Sequence, residues 1–136
     1  MDDPSRNDWP SRNDWQPVAL AWELREAPTK RVRLFDEDLV VYRDKSGSYG
    51  LIDSICPHEP REMIYGVPQE TGIRCTYHSW HFALDGECIS QPYYGSRTPY
   101  SVRIKAYPVR EMAGILFAYF GPEPAPSLEV SISSRR

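Results

Sequence analysis

The sequence contains no long apolar run, and this limits where the chain can reside. The longest such stretch, Gly114–Phe120, is far shorter than the roughly 18 residues that a membrane-spanning helix needs. The chain begins with Met1-Asp2-Asp3 and has no apolar segment of the kind found in secretory signals. We therefore expect a cytoplasmic protein with no membrane partner.

Basic residues are not in excess either, which argues against a nucleic-acid partner. The chain of 136 residues has 16 Lys and Arg against 19 Asp and Glu, and its formal net charge is −3. Nucleic-acid-binding domains usually carry a basic patch, and none is visible here. With 40% hydrophobic residues, this length is typical of one globular domain.

Cysteine and histidine are scarce, with three of each. An odd number of cysteines without an export signal is unlike a disulfide framework and favours metal binding. Two cysteines and two histidines occur together in two short segments, Cys56-Pro57-His58 and Cys75-Thr76-Tyr77-His78. Each segment offers one thiolate and one imidazole among turn-forming residues, so both segments are predicted to be ligand-bearing loops.

Long amphipathic patterns are also missing, and the recognisable elements are short strands. Alternating or apolar runs bounded by turn residues predict strands, and Asp85-Gly86 is a strong hairpin signal. The fold class is therefore all-β, with small stacked antiparallel sheets and two cluster-binding loops. A single helical turn is expected at Ala21–Glu26. The predicted strands are Pro17–Leu20, Arg31–Phe35, Leu39–Tyr42, Tyr49–Asp53, His81–Leu84, Glu87–Ile89, Ser101–Ala106 and Gly114–Phe120.

The two ends of the chain differ in composition from the middle. Residues 1–14 contain a near-tandem repeat, Ser5–Pro10 followed by Ser11–Trp15, which is too short to form a solenoid. The sequence predicts a disordered repeat over residues 1–14, a metal-binding domain over 15–126 and a loose tail over 127–136.

The mixture of ligands narrows the kind of metal centre. The four candidate ligands are Cys56, His58, Cys75 and His78, with 16 residues between the two segments. Thiolates stabilise ferric iron, and neutral imidazoles remove negative charge from a second iron and make it easier to reduce. A structural zinc site is the alternative. Zinc ligands usually pair two cysteines at a short spacing and place the histidines on a helix, so the spacing here favours a [2Fe–2S] cluster over zinc.

The chain also resembles a known family, the N-terminal Rieske [2Fe–2S] domain of aromatic ring-hydroxylating oxygenase α subunits, and especially its phthalate-dioxygenase-like group. The resemblance covers residues 15–126, and the two ligand loops are its most specific part. The stretches that carry it are Trp15–Ala19, Cys56-Pro57-His58, Arg74–Trp80, Asp85–Cys88, Tyr107–Glu111 and Phe120–Pro122.

This resemblance implies a cofactor, partners and ligand roles. It implies one Rieske-type [2Fe–2S] cluster per chain, with Cys56 and Cys75 on the first iron and His58 and His78 on the second. It implies a flavin or iron–sulfur reductase as electron donor and an oxygenase catalytic domain as acceptor. Single electrons would then pass through this chain to a ring-hydroxylating centre.

The sequence differs from the usual family pattern at positions that are expected to affect the cluster's reduction potential. Glu59-Pro60 stands where the family usually has Arg-Gly, and Ser79 stands where it usually has Gly. High-potential respiratory Rieske proteins resemble the chain in ligand order but carry hydroxyl groups at the positions of Trp80 and Phe82. They also link their loops by a disulfide, for which Arg61 and Tyr77 are the matching positions here. A potential near the negative end of the Rieske range is therefore expected.

A second metal site is not expected within this sequence. The family's catalytic domain holds a mononuclear iron on two histidines and a carboxylate. Once His58 and His78 bind the cluster, only His81 remains, so the chain alone cannot build that site. Three hypotheses follow: a Rieske electron carrier, the Rieske part of an oxygenase whose catalytic domain is supplied elsewhere, and a structural zinc module.

Three neighbouring residues have simpler interpretations. His81 is predicted to be an exposed strand residue, and Cys88 a half-buried small apolar residue after the turn. Trp80 is predicted to pack beneath the cluster and exclude water.

Overall fold

The computed structural model describes residues 12–57, 61–75, 80–90 and 102–129. These residues form short strands in three antiparallel sheets, together with one helical turn and one 3-10 turn. This confirms the predicted all-β class. No helix among the described residues is long and apolar enough to cross a bilayer.

The first sheet joins the two ends of the described chain. Its strands are β1 (Trp15–Leu20), β10 (Val109–Met112) and β11 (Ile115–Tyr119), in the order β1-β11-β10. The turn between β10 and β11 uses Ala113 and Gly114, both with positive φ, the backbone conformation that suits a two-residue hairpin. The sequence pattern predicted β11 but not β10.

The second sheet, here called the base sheet, separates two hydrophobic cores. It contains β2 (Thr29–Leu34), β3 (Glu37–Arg43), β4 (Tyr49–Asp53) and β9 (Ala106–Tyr107), in that order. Leu39 and Val41 of β3 face a core shared with the first sheet, whereas Val40 and Tyr42 face the opposite side. The apolar run in β3 therefore reflects a strand that is buried on both faces.

The third sheet, here called the small sheet, is built from very short strands. They are β5 (Val67–Pro68), β6 (Ile73–Arg74), β7 (His81–Phe82) and β8 (Cys88–Ser90), in sequence order. The hairpin predicted at Asp85-Gly86 connects β7 to β8, and Gly86 has φ +91°. Two-residue strands show no alternation, which is why β5 and β6 were not predicted.

The predicted strand at Ser101–Ala106 is largely wrong. Ser101 lies outside the described residues, and Arg103 forms only an isolated bridge with Glu87 before β9 begins at Ala106. The physical reason is that this segment links two sheets. The Cys88 amide donates to Val102 and the Ile104 amide donates to Gly86. The predicted helical turn is confirmed as α1 (Glu23–Glu26).

The described ends of the chain pack onto the fold. Arg12 pairs with Glu37 at 2.7 Å, and Trp15 Nε1 donates to the Pro126 carbonyl at 2.9 Å. Leu128 is fully buried against Trp15 and Tyr119. An apolar side chain at the start of the predicted tail therefore completes a small core. Residues 1–11 and 130–136 lie outside the described residues, and the domain limits stay a prediction.

Candidate metal centre

The first candidate loop extends directly from the base sheet. After β4, Ile55 forms a bridge with Glu62, and the Met63 amide donates to the Ser54 carbonyl at 2.8 Å. The Cys56 amide then donates to the Arg61 carbonyl at 2.9 Å. This short ladder closes a tip of four residues, 57–60, with Cys56 at its base.

The second candidate loop belongs to the small sheet. It connects β6 to β7, whose residues Ile73 and Phe82 are paired. The Cys75 amide donates to the Trp80 carbonyl at 2.8 Å and closes a second tip of four residues, 76–79.

Both loops are thus closed in the same way. In each, the cysteine amide donates to the carbonyl of the residue five positions later. The candidate ligands His58 and His78 fall within the two tips and lie outside the described residues. The structure accordingly places the two cysteines at equivalent positions and leaves the histidine positions as a prediction.

The two cysteines share one apolar environment. Cys56 and Cys75 are each 2% exposed, and neither forms a disulfide. They belong to a cluster of buried residues, here called the cysteine core: Val40, Tyr42, Ile52, Cys56, Met63, Ile73, Cys75, Trp80, Phe82, Cys88 and Ile104. Two buried cysteines that form no disulfide, in one largely apolar core, suit a soft, thiolate-binding metal centre, because bound metal compensates the thiolate charge that burial would otherwise disfavour.

Trp80 and Cys88 line the same core. Trp80 is 3% exposed, in agreement with its predicted role of excluding water near the loops. Cys88 is 7% exposed and therefore more buried than expected, with Sγ 3.6 Å from the Ser90 carbonyl. Its presence beside the candidate ligands makes it a natural control for experiments on them.

His81 has a structural partner. Its side chain is half-buried rather than exposed, and Nε2 lies 2.6 Å from the Thr71 carbonyl. A carbonyl can only accept, so Nε2 carries the hydrogen and donates it. His81 therefore helps to hold the turn between β5 and β6.

Charged groups concentrate at the start of β3, outside the cysteine core. Tyr107 and Arg12 donate to the Glu37 carboxylate at 2.6 and 2.7 Å, and Lys105 donates at 3.3 Å. Burial raises the pKa of Glu37, but these hydrogen bonds outweigh burial and leave its pKa below the usual value. The network fastens the described amino-terminal residues and β9 to β3.

Asp44 is the buried polar residue that sequence reasoning missed. It is 1% exposed, and its carboxylate accepts hydrogen bonds from Ser46, Ser48 and Gly72. The run Asp44-Lys45-Ser46-Gly47-Ser48 is typical of a turn capped by an Asp side chain. Nothing in the sequence signals the long-range contact with Gly72.

An all-β domain that presents two cysteine-based loops beside one apolar core is typical of a metal-binding domain with thiolate ligands. Residues 14–108 match the Rieske [2Fe-2S] domain family, and the chain belongs to that family. Its cofactor is accordingly a Rieske-type [2Fe–2S] cluster.

The chain is similar in sequence to parts of several oxygenase subunits. It is 46% identical over 117 residues to the 5,5'-dehydrodivanillate O-demethylase oxygenase subunit of a Sphingobium strain, covering 82% of this chain and 28% of that protein. It is 42% identical over 114 residues to the phthalate 4,5-dioxygenase oxygenase subunit of Pseudomonas putida, covering 80% and 26%. The chain spans about a quarter of the length of these relatives.

Solved structures share the fold. The NdmA protein of Pseudomonas putida CBB5 superposes with a TM-score of 0.73 at 24% identity, covering 81% of this chain and 35% of that one. Dicamba monooxygenase superposes with a TM-score of 0.72 at 24% identity, covering 85% and 35%. At this identity the likeness concerns the fold alone.

Proposed function

We propose that the chain is an electron-transfer domain whose [2Fe–2S] cluster is held by Cys56, His58, Cys75 and His78. The observation that carries the proposal is the matched closure of the two loops, which puts a buried cysteine at the base of each tip. One histidine lies in each tip, two residues after Cys56 and three after Cys75.

The proposed ligand set fits the charge of the site. When bound, the cluster supplies reversible one-electron chemistry at a potential raised by its two imidazole ligands. In the oxidised form the two ferric ions balance two sulfides and two thiolates, so the net charge is zero before reduction. Such a group is compatible with a core whose described members are almost all apolar.

The oxygenase relatives support a proposal about the redox partners. We infer that a flavin or iron–sulfur reductase donates the electron and that an oxygenase catalytic domain accepts it. Because the match covers only 28% and 26% of these two relatives, the second candidate is the Rieske part of an oxygenase with its catalytic domain supplied elsewhere. Under the second candidate, this chain, a reductase and a separately produced catalytic domain that lacks its own Rieske cluster should together yield hydroxylated product. A stand-alone carrier should instead reduce an oxygenase that has its own Rieske cluster and should give no product with the catalytic domain alone. The cytoplasmic location stays a prediction.

The ligand assignment is tested with matched alanine variants. All three cysteines are buried in one core, so Cys56→Ala, Cys75→Ala and Cys88→Ala remove the same atoms from similar surroundings. We expect the first two to lose iron, sulfide and the Rieske EPR signal, and Cys88→Ala to keep them. His58→Ala and His78→Ala should lose the signal, whereas His81→Ala should retain it.

Metal analysis separates this assignment from zinc binding. Anaerobically purified protein should contain equal amounts of iron and sulfide. Stoichiometric zinc without sulfide, or loss of the signal in Cys88→Ala, would refute the assignment.

A further inference from the structure

The two candidate loops are connected to different sheets. The first continues β4 of the base sheet, and the second connects β6 and β7 of the small sheet. The separation between Cys56 and Cys75 therefore depends on how the two sheets are joined. Apolar packing in the cysteine core is one connection, but such packing alone fixes position loosely, since cores tolerate repacking.

A polar joint connects the same sheets at two turns. One is the β3–β4 turn, residues 44–48, and the other is the β5–β6 turn, residues 69–72. The Lys45 amide donates to the Gln69 carbonyl at 2.8 Å, and the Ser46 amide donates to the Glu70 carbonyl at 3.2 Å. The third connection runs through a side chain, because the Gly72 amide donates to Asp44 Oδ2 at 3.0 Å.

The two oxygens of Asp44 have separate roles. Oδ1 accepts from the Ser46 amide, the Ser46 hydroxyl and the Ser48 amide at 3.1, 2.6 and 3.0 Å, and so shapes its own turn. Oδ2 reaches across to the other sheet. All four partners are donors, which suits the acceptor-only carboxylate and offsets its burial.

A short rigid path leads from Gly72 to the second loop. Gly72 has φ +77°, and a Cβ at this position would lie 2.0 Å from the Phe82 carbonyl oxygen, so the turn is pressed against β7. The next residue, Ile73, pairs with Phe82, and Cys75 follows two residues later. His81 also holds this turn through the Thr71 carbonyl. Gly72 and Cys75 are only three positions apart, and Ile73 between them is paired with Phe82 of β7. We therefore expect a displacement of Gly72 to move Cys75 as well.

We propose that Asp44 is a positioning residue for the cluster, fixing the second loop relative to the first through its hydrogen bond to Gly72. The proposal rests on the proposed function, since it requires Cys56 and Cys75 to be ligands. In this proposal, the buried Asp44 side chain influences the geometry of the ligand set, although Asp44 belongs to neither loop.

Two variants remove the Asp44–Gly72 hydrogen bond, leave the two backbone hydrogen bonds of the polar joint in place and keep the β3–β4 turn. In Asp44→Asn the side-chain oxygen can still accept from Ser46 and Ser48, while its NH₂ group meets the Gly72 amide and cannot accept from it. In Asp44→Ser the hydroxyl can cap the turn but is too short to reach Gly72. Ser46→Ala is the matched control, because it removes one hydrogen bond to Oδ1 and leaves the bond to Gly72.

Cluster properties are measured in the full chain well below its unfolding temperature. We expect both Asp44 variants to bind iron and sulfide, to show a broadened EPR signal, and to lose the cluster to a chelator about tenfold faster, as is typical when ligand orientation is loosened. Ser46→Ala should match the parent protein in both respects.

Several results would overturn the proposal. A parent protein without the Rieske signal would defeat the proposed function and this inference together. A normal parent signal with unchanged EPR and chelator kinetics in both Asp44 variants would defeat the inference alone. Failure of both variants to fold, seen as loss of cooperative unfolding, would make Asp44 a general stability residue and equally refute the positioning role.

Discussion

Asp44 and Tyr42 are both buried polar residues, but they differ in whether their polar atoms are hydrogen-bonded. The Asp44 carboxylate accepts hydrogen bonds from four donors, whereas the Tyr42 hydroxyl makes no hydrogen bond with any of the residues that the structure describes. The Tyr42 ring covers Gly50, where a Cβ would lie 2.6 Å from ring carbons. Burial, and secondarily the negative charges of Asp44 and Asp85, raises the pKa of Tyr42.

Tyr42→Phe tests this interpretation through pH dependence. The raised pKa means that the folded state keeps the phenolic proton while the unfolded state releases it above its ordinary pKa of 10.0. Stability contributed by Tyr42 is therefore complete below pH 10 and declines above it by up to about 1.4 kcal/mol per pH unit. We expect Tyr42→Phe to lose part of this alkaline decline, as measured by urea unfolding between pH 8 and about 11.

At neutral pH the same variant should be nearly as stable as the parent, or slightly more so. Removing a buried hydroxyl that lacks a partner costs little. A loss of more than about 1.5 kcal/mol would contradict this expectation and would indicate that the hydroxyl is hydrogen-bonded.

The sequence was sufficient to predict candidate ligands, because their residue types and spacing indicate their chemistry. Cys56 and Cys75 were recognised because thiolate–imidazole pairs recur at two loops, and the structure buries both at equivalent positions. Asp44 and Tyr42 were not recognised, because their importance comes from contacts between sheets. No local pattern encodes which distant backbone amide a turn carboxylate will meet.

At the scale of elements, hairpins with glycine turns were predictable and very short strands were not. Asp85-Gly86 signalled the β7–β8 turn because Gly86 adopts a positive φ. β5 and β6, with two residues each, are defined by their partners rather than by any periodicity. The run Leu39–Tyr42 predicted a strand, but its division between two cores depended on the sheets packed against it.

A comparison of two glycines distinguishes the cost of backbone strain from the cost of steric contact when a side chain is added. Gly86 and Gly114 have φ +91° and +80°. A Cβ on Gly86 would lie 2.1 Å from the Ile104 carbonyl, whereas one on Gly114 would have no heavy atom within 4 Å among the described residues. We expect Gly114→Ala to cost about 1–2 kcal/mol from the positive φ alone. Gly86→Ala should cost at least about 2 kcal/mol more, because the β7–β8 turn must move away from Ile104.

Urea unfolding of the two variants under one set of conditions checks this comparison. Equal losses of stability would show that the β7–β8 turn shifts freely, contrary to the packing described above.

At the scale of the whole molecule, the surroundings of the loops bear on the reduction potential. Trp80 and Phe82 are both buried in the cysteine core and carry no hydroxyl, so they cannot donate O–H hydrogen bonds to cluster sulfurs. Such bonds favour the reduced state and raise the potential. We expect a midpoint of roughly −150 mV rather than +300 mV at neutral pH. Protein-film voltammetry measures it, and a value above about +100 mV, which lies in the upper half of the range, would contradict this reasoning.

The shared closure of the two loops also limits the supply of backbone donors. The amides of Cys56 and Cys75 are already engaged by Arg61 and Trp80, so neither can donate to a sulfide. In the first tip Pro57 and Pro60 have no N–H, which leaves two amides among residues 57–60, while residues 76–79 contain no proline and keep four. By this count, the second tip has more backbone N–H groups than the first that could donate to cluster sulfurs. Pro60→Gly would restore a backbone N–H to the first tip, which has fewer donors. We expect this variant to have a more positive midpoint potential than the parent protein.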